Sequence, residues 1–152
     1  MSGDAMQQKS IRRATPADTI DAGRIFRDVV SSAHWLPVAS RLQTDFAAAS
    51  EGEDVFVCCD AENVVQGFVA VWRPEAFIHH LYVDSRFRDQ GVGTLLLDSL
   101  DSWLPRPWTL KCANANHAAM AFYLSRGWRL IAEGENEHGS YSVLESVASR
   151  SA

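Results

Sequence analysis

Basic charge is in short supply in this chain. Fourteen Lys and Arg residues stand against nineteen Asp and Glu, a formal charge of −5 over 152 residues. No basic stripe of the kind a nucleic-acid surface needs is formed, so no nucleic-acid partner is expected. Cysteine is scarce as well. Cys58, Cys59 and Cys112 are odd in number and sit in apolar runs, which reads as buried thiols in a reducing compartment and argues against disulfides or a metal cluster; no metal is expected. No apolar run reaches membrane length and no signal-peptide core precedes the first charged residues, so the expectation is a cytoplasmic protein without a membrane partner. The glycine-rich turn is informative for what it lacks. No Gly-Lys pair occurs, which excludes a P-loop. The pair Gly91 and Gly93 has Leu96 where a dinucleotide fingerprint needs its third glycine.

What is present suits one compact domain. The chain is 47% hydrophobic, enough for a real core at this length. Its pivot is Leu81 to Leu100, where the apolar period changes from strand to helix. Leu81-Tyr82-Val83 ends a strand, Asp84 to Gln90 is polar, and Leu95, Leu96, Leu97 and Leu100 recur at helical spacing. A strand, a turn with Gly91 and Gly93, and a helix N-terminus together make an anion site. The glycines let the backbone come close, and the first-turn N–H groups lack intrahelical partners. Arg86 and Arg88 are expected to add positive charge beside it.

Taken in order, residues 1–10 read as a disordered tail and 11–148 as the folded domain. Ile11 to Ala14 is a short strand. Thr15, Pro16 and Asp18 look like the cap and first turn of a helix, whose stripe is Ile20, Ile25, Phe26, Val29 and Val30. Ser31 to Pro37 breaks it, with His34, Trp35 and Leu36, and a short second helix runs through Leu42 and Phe46. Residues 55–59 and 64–72 pair as a hairpin, and a fourth strand covers 76–83. The helix after the glycine turn runs to Trp103 or Leu104 before Pro105 and Pro107. A strand at 108–113, a helix from Asn116 closed by Gly127, and two strands, 128–132 and 141–144, flank an acidic loop over 133–140. Alternation on the fourth strand places Phe77, His79, Leu81 and Val83 on one face and Ile78, His80 and Tyr82 on the other.

Two motifs then occur together. Arg88-Asp89-Gln90-Gly91-Val92-Gly93 follows the fourth strand, and Asn116 opens NHAAMAFYLSRGW on the helix after the fifth. In type, spacing and order they resemble the GCN5-related N-acetyltransferase (GNAT) superfamily, with Trp128 where the family pattern has Phe. The resemblance covers Ile11 to Leu144. It implies an α/β (α+β) single domain with a mixed, mostly antiparallel sheet splayed between strands 4 and 5, and helices on both faces. It also implies acetyl-CoA as cosubstrate and transfer of its acetyl group to a primary amine, on a small molecule or a peptide.

The resemblance further implies residue roles. Backbone N–H groups across Arg88, Asp89, Gln90, Gly91, Val92, Gly93 and Thr94 would hold the pyrophosphate. The segment Leu81, Tyr82 and Val83 would pair with the pantetheine arm, an N–H near Val83 facing the thioester carbonyl. Asn116 would reach the arm, Ala119 and Phe122 would line the same helix face, and Tyr123 would sit at the sulfur as general acid. Lys111 stands where some relatives carry a glutamate base. His79 matches a strand histidine proposed as a proton relay in some relatives, although paired strand histidines are also common as structural residues. Acceptor recognition would fall to the first helices and the acidic segment Glu133, Glu135, Glu137 and His138, which would favour a cationic acceptor. A homodimer through a Trp- or Leu-bearing surface of the last strands is a further expectation. A non-catalytic acyl-CoA module, another acyl donor and a hydroxyl acceptor remain open alternatives.

Overall fold

A computed structural model describes residues 8–33, 45–137 and 139–147. The elements run β1 (Lys9–Arg13), α1 (Pro16–Ser32), α2 (Phe46–Ala49), β2 (Asp54–Asp60), β3 (Val65–Trp72), β4 (Phe77–Val83), α3 (Val92–Ser99), β5 (Thr109–Ala113), α4 (His117–Ser125), β6 (Arg129–Asn136) and β7 (Gly139–Glu145). Short 3-10 turns cover Arg73–Glu75, Ser85–Phe87 and Leu100–Ser102. One seven-stranded sheet has the order β1-β2-β3-β4-β5-β7-β6. Every neighbouring pair is antiparallel except β4 and β5, which are parallel.

Local chemistry explains the entry of α1. Thr15 accepts from the Asp18 N–H at 3.2 Å, and the Asp18 carboxylate accepts from the Thr15 N–H at 2.9 Å, closing a capping box ahead of Pro16. Asp18 is buried, and burial would raise its carboxyl. Hydrogen bonds from Arg12 and from Thr15 outweigh that and hold it below its usual range. The cap thus also ties α1 to β1.

β3 explains why its sequence, VQGFVAVW, shows no polar alternation. Val69 and Val71 pack into a core with Leu96, Leu97, Leu100 and Trp108, while Phe68 and Ala70 pack into a second core with Phe26, Phe46 and Val57. Both faces of this strand are covered, one by α3 and α4 and the other by α1, so both must be apolar. Gly67 marks the closest approach of α3. A Cβ there would meet the Tyr82 carbonyl oxygen and Val92 at 2.8 Å each. Its absence lets the first turn of α3 sit directly at the end of β4.

Several expectations shift. β1 begins at Lys9 rather than Ile11. The α-helix α3 ends at Ser99 and tightens into a 3-10 turn, a common ending that brings its close forward from Trp103. Residues 133–136 and 139–140, expected as loop, are strand. β6 and β7 stay paired out to Asn136 opposite Gly139. Trp108 and Trp128 are core residues, so the exposed apolar residues of the last strands are Leu130 and Ile131. His34, Trp35, Leu36, Arg41, Leu42 and His138 lie outside the described residues.

Candidate active site

The ladder between β4 and β5 holds two register pairs, Phe77 with Thr109 and Ile78 with Leu110. Beyond them the strands part. The split opens a cleft of about 1140 Å³ that runs from the turn after β4, past α4, to the tip of the β6–β7 hairpin. From His79 onward, the β4 edge that faces β5 carries backbone groups without a strand partner among the described residues. An exposed strand edge of this kind can accept an extended ligand chain.

The turn builds one end of the cleft. Asp89 and Gly91 both take positive φ, 63° and 81°, and such a path folds successive N–H groups toward a common centre. Gly91 is the residue just ahead of α3, and a Cβ on it would meet nothing within 4 Å. Space and unpartnered helix-start N–H groups therefore coincide. Asp84, buried at the end of β4, fixes the frame. Its backbone N–H donates to the Gln66 carbonyl at 2.9 Å, and its carboxylate accepts from Arg86 at 2.8 Å and from Arg24 on α1 at 3.2 Å. Burial alone would raise this carboxyl. The Arg86 side chain and backbone and the Arg24 guanidinium reverse the sign and hold it at about 2. The expectation for Arg86 is corrected accordingly. Its charge is spent on Asp84, and Arg88, which lines the cleft and makes no ion pair among the described residues, is the cation at the turn.

The cleft brings the sequence candidates together. His79, Leu81, Tyr82, Val83, Arg88, Asp89, Gly91, Val92, Gly93, Thr94, Asn116, Ala119, Phe122 and Tyr123 all line it. Gln90 does not; its side chain accepts from Lys9 at 3.3 Å on the β1 side. Asn116 also caps α4, accepting from the Ala119 N–H at 3.2 Å. Tyr123 is buried against Phe122 and Trp128, ring centroids 5.2 Å apart in each case. Burial drives its hydroxyl well above the usual tyrosine value, with the Cys112 thiol adding to the effect, so the phenol holds its proton through the neutral range. Arg126 bonds Asp98 at 2.6 Å and ties α4 to α3, which fixes the two walls that meet at Tyr123.

The facing of β4 needs a second correction. The β3–β4 register jumps from Ala70 with His80 to Val71 with Ile78, which leaves His79 as the extra residue of a β-bulge. Strict alternation fails there. Ile78 joins Leu81 and Val83 on the α3–α4 side, while His80 and Tyr82 turn toward Phe26 on the α1 side. His79 is taken off the Leu81–Val83 face and stacks on His80, ring centroids 3.9 Å apart. Tyr82 therefore buries its ring against Phe26 and Phe68, and burial pushes its phenol up to about 12.

Sequence reasoning passed over Glu53. Its carboxylate lies 2.8 Å from His79 Nδ1 and is almost fully buried. Burial raises its pKa, with His79 opposing. Nothing in the polar run Glu51 to Asp54 distinguishes it from solvated neighbours. Lys111 lines the cleft with its ammonium 5.0 Å from the Tyr141 ring centroid, and Glu137 lines the same end.

The sequence profile of the Acetyltransferase (GNAT) family matches residues 23–128, well over half of the chain. No curated protein sequence matches significantly. Among solved structures, YjaB from Escherichia coli superposes with a TM-score of 0.77 at 21% identity, covering 93% of this chain and 99% of that one. The ribosomal-protein-S18-alanine N-acetyltransferase from Escherichia coli gives 0.71 at 18%, covering 95% and 97%. The phosphinothricin acetyltransferase from Sinorhizobium meliloti, solved in complex with acetyl-CoA, gives 0.66 at 18%, covering 94% and 92%.

Proposed function

Because the chain belongs to the acetyltransferase (GNAT) family, we propose that it transfers the acetyl group of acetyl-CoA to the amino group of a small molecule or peptide. The observation that carries this reading is the split between β4 and β5, with the positive-φ turn at one end and buried Tyr123 on its wall. The cleft fits the cosubstrate by shape and by chemistry. An open strand edge suits the amide-bearing pantetheine arm, and the helix-start N–H groups with Arg88 suit a pyrophosphate. A ribosomal-protein-alanine N-acetyltransferase among the similar folds supports an amino group as acceptor.

The N–H groups of residues 88–94 hold the pyrophosphate, and Leu81, Tyr82 and Val83 contribute backbone to the arm. A backbone N–H near Val83 meets the thioester oxygen, where charge develops as the tetrahedral adduct forms, so it favours the transition state over the ground state. Asn116, Ala119 and Phe122 line the arm's path. Tyr123 keeps its proton until the thiolate leaves and then supplies it. His79 receives the proton of the acceptor ammonium.

Two wider expectations belong to the same proposal. Three free, buried cysteines suit the cytoplasm, and no helix among the described residues is long and apolar enough to cross a membrane. Leu130 and Ile131 on edge strand β6 suit a homodimer, which a sedimentation mass of twice 16.8 kDa would support and a single-chain mass would refute. The reaction itself is tested by incubating the protein with acetyl-CoA and a panel of primary amines and reading the free thiol. Amine-dependent thiol release supports the proposal. Thiol release with hydroxyl acceptors alone, or none with any amine, refutes it.

A further inference from the structure

Resting on the N-acetyltransferase reading, we infer that Glu53 and His79 form a carboxylate–imidazole pair in which buried Glu53 is a positioning residue that aims His79 Nε2 at the acceptor nitrogen. Four observations meet here. The β-bulge at His79 takes its ring off the Leu81–Val83 side of β4, and the residue lines the cleft. Glu53 Oε2 sits 2.8 Å from Nδ1. The other carboxylate oxygen, Oε1, is buried with no hydrogen-bond partner, so the imidazole contact is the one strong interaction this carboxylate has among the described residues. Finally, the His79 side chain stays 40% exposed while that of Glu53 is 7% exposed, the asymmetry expected of a group that meets substrate and a group that orients it.

The rest of the surroundings agree. An ionised Glu53 accepts from Nδ1–H, which fixes the tautomer and leaves the Nε2 lone pair available. His80 stacks beneath the ring at 3.9 Å. Its own nitrogens are buried and unpaired, and burial first, then the neighbouring His79, lowers it to about 3. It is thus a neutral platform and no rival for the proton. Phe77 flanks the ring at 6.1 Å. Lys111 from β5 and Glu137 from the hairpin are the other charged groups lining this end of the cleft.

The proton balance closes. One N–H proton of the acceptor ammonium passes to His79 Nε2, Glu53 stabilises the imidazolium, and the proton leaves to solvent. The nitrogen lone pair then forms the C–N bond at the thioester carbonyl. The C–S bond breaks with its electron pair on sulfur, Tyr123 protonates the thiolate, and the second N–H proton of the adduct restores Tyr123. The products are an amide, a thiol and one released proton.

The test separates proton removal from every other role by using two acceptors of nearly equal shape. Ethylamine is an ammonium at pH 7, and 2,2,2-trifluoroethylamine is neutral there. Glu53→Gln and His79→Gln should each lower kcat on ethylamine by roughly 10- to 100-fold, leave the KM for acetyl-CoA unchanged, and leave the rate on the fluorinated amine within about twofold. Equal losses on both amines, or no loss on either, overturn the pairing. Nitrogen-15 shifts of the His79 ring in the parent should report the Nδ1–H tautomer, and an Nε2–H tautomer overturns the proposal without reference to turnover. If neither amine releases thiol, the acetyltransferase reading fails with these acceptors, and the tautomer alone decides the geometry of the pair.

Discussion

The two ends of the cleft are built from different materials. The turn after β4 offers backbone: positive φ at Asp89 and Gly91, the first N–H groups of α3, and a frame locked by Asp84. The other end, which the proposed function makes the acceptor end, carries side chains, His79, His80 and Glu53 at a bulge, with Lys111 and Tyr141 across the split. Backbone sites recognise what all substrates of a cosubstrate class share, and they tolerate wide change in side chains. Side-chain sites distinguish one acceptor from another. A cosubstrate used throughout a family and an acceptor particular to one member would divide in this way.

Substitutions that enter one end and spare the other sharpen this contrast. The largest effect is expected at Gly91. Glutamate there must hold φ near 81°, a strain of about 1–2 kcal/mol, and it puts a negative charge into the N–H nest. Acetyl-CoA affinity should fall on the order of 100-fold or more, with the fold retained in circular dichroism, and calorimetry reads the loss. Tyr123→Phe comes next. It keeps the ring and its packing on Trp128, so acetyl-CoA affinity should hold while kcat falls roughly 10- to 100-fold. Burial raises the phenol, so the parent should show no alkaline limb in kcat from this group below pH 10.

His80 gives a third effect, on stability. Its folded value is about 3 and its ordinary value 6.5. Between these limits the unfolded chain carries a proton that the folded chain does not, so stability falls with acid through the whole window. The loss is on the order of 2 kcal/mol at pH 5, from about 1.4 kcal/mol per pH unit. His80→Phe should flatten that slope in urea melts between pH 6.5 and 4. The Asp84 contribution should remain, lost only as pH falls from 3.8 toward 2. The smallest effect is expected at the arginines. Arg88→Ala should weaken acetyl-CoA by about 3- to 10-fold, an effect that shrinks with added salt. Arg86→Ala should act on stability through Asp84 more than on affinity.

The same contrast governs how much was legible in the sequence. The turn was readable because backbone geometry demands glycine and helix periodicity at fixed positions, and Gly91 and Leu96 stand where those demands fall. The mixed, mostly antiparallel sheet and the parting of β4 from β5 were implied by the resemblance that the two motifs carry, whereas the strand order was not. At the proposed acceptor end His79 was named through the resemblance, but its facing and its partner were not readable. A one-residue bulge reverses the facing of Ile78 and His79 and leaves no mark in the composition of the strand. Glu53 becomes a partner only because the chain brings it beside a histidine 26 residues away. The pairing of Arg86 with Asp84 is a further tertiary event, and local charge counting assigned that arginine to the wrong task.

In the proposed complex the cosubstrate lies along the free edge of β4 with its pyrophosphate in the turn. Amide chemical-shift mapping of the labelled protein titrated with acetyl-CoA tests this most directly. The largest shifts are expected at residues 88–94, with a continuous second set at 81–83 and along 116–123, and small shifts at β1 and β2. Saturable binding whose shifts leave 88–94 unmoved and gather elsewhere, on the β6–β7 hairpin for example, would contradict it.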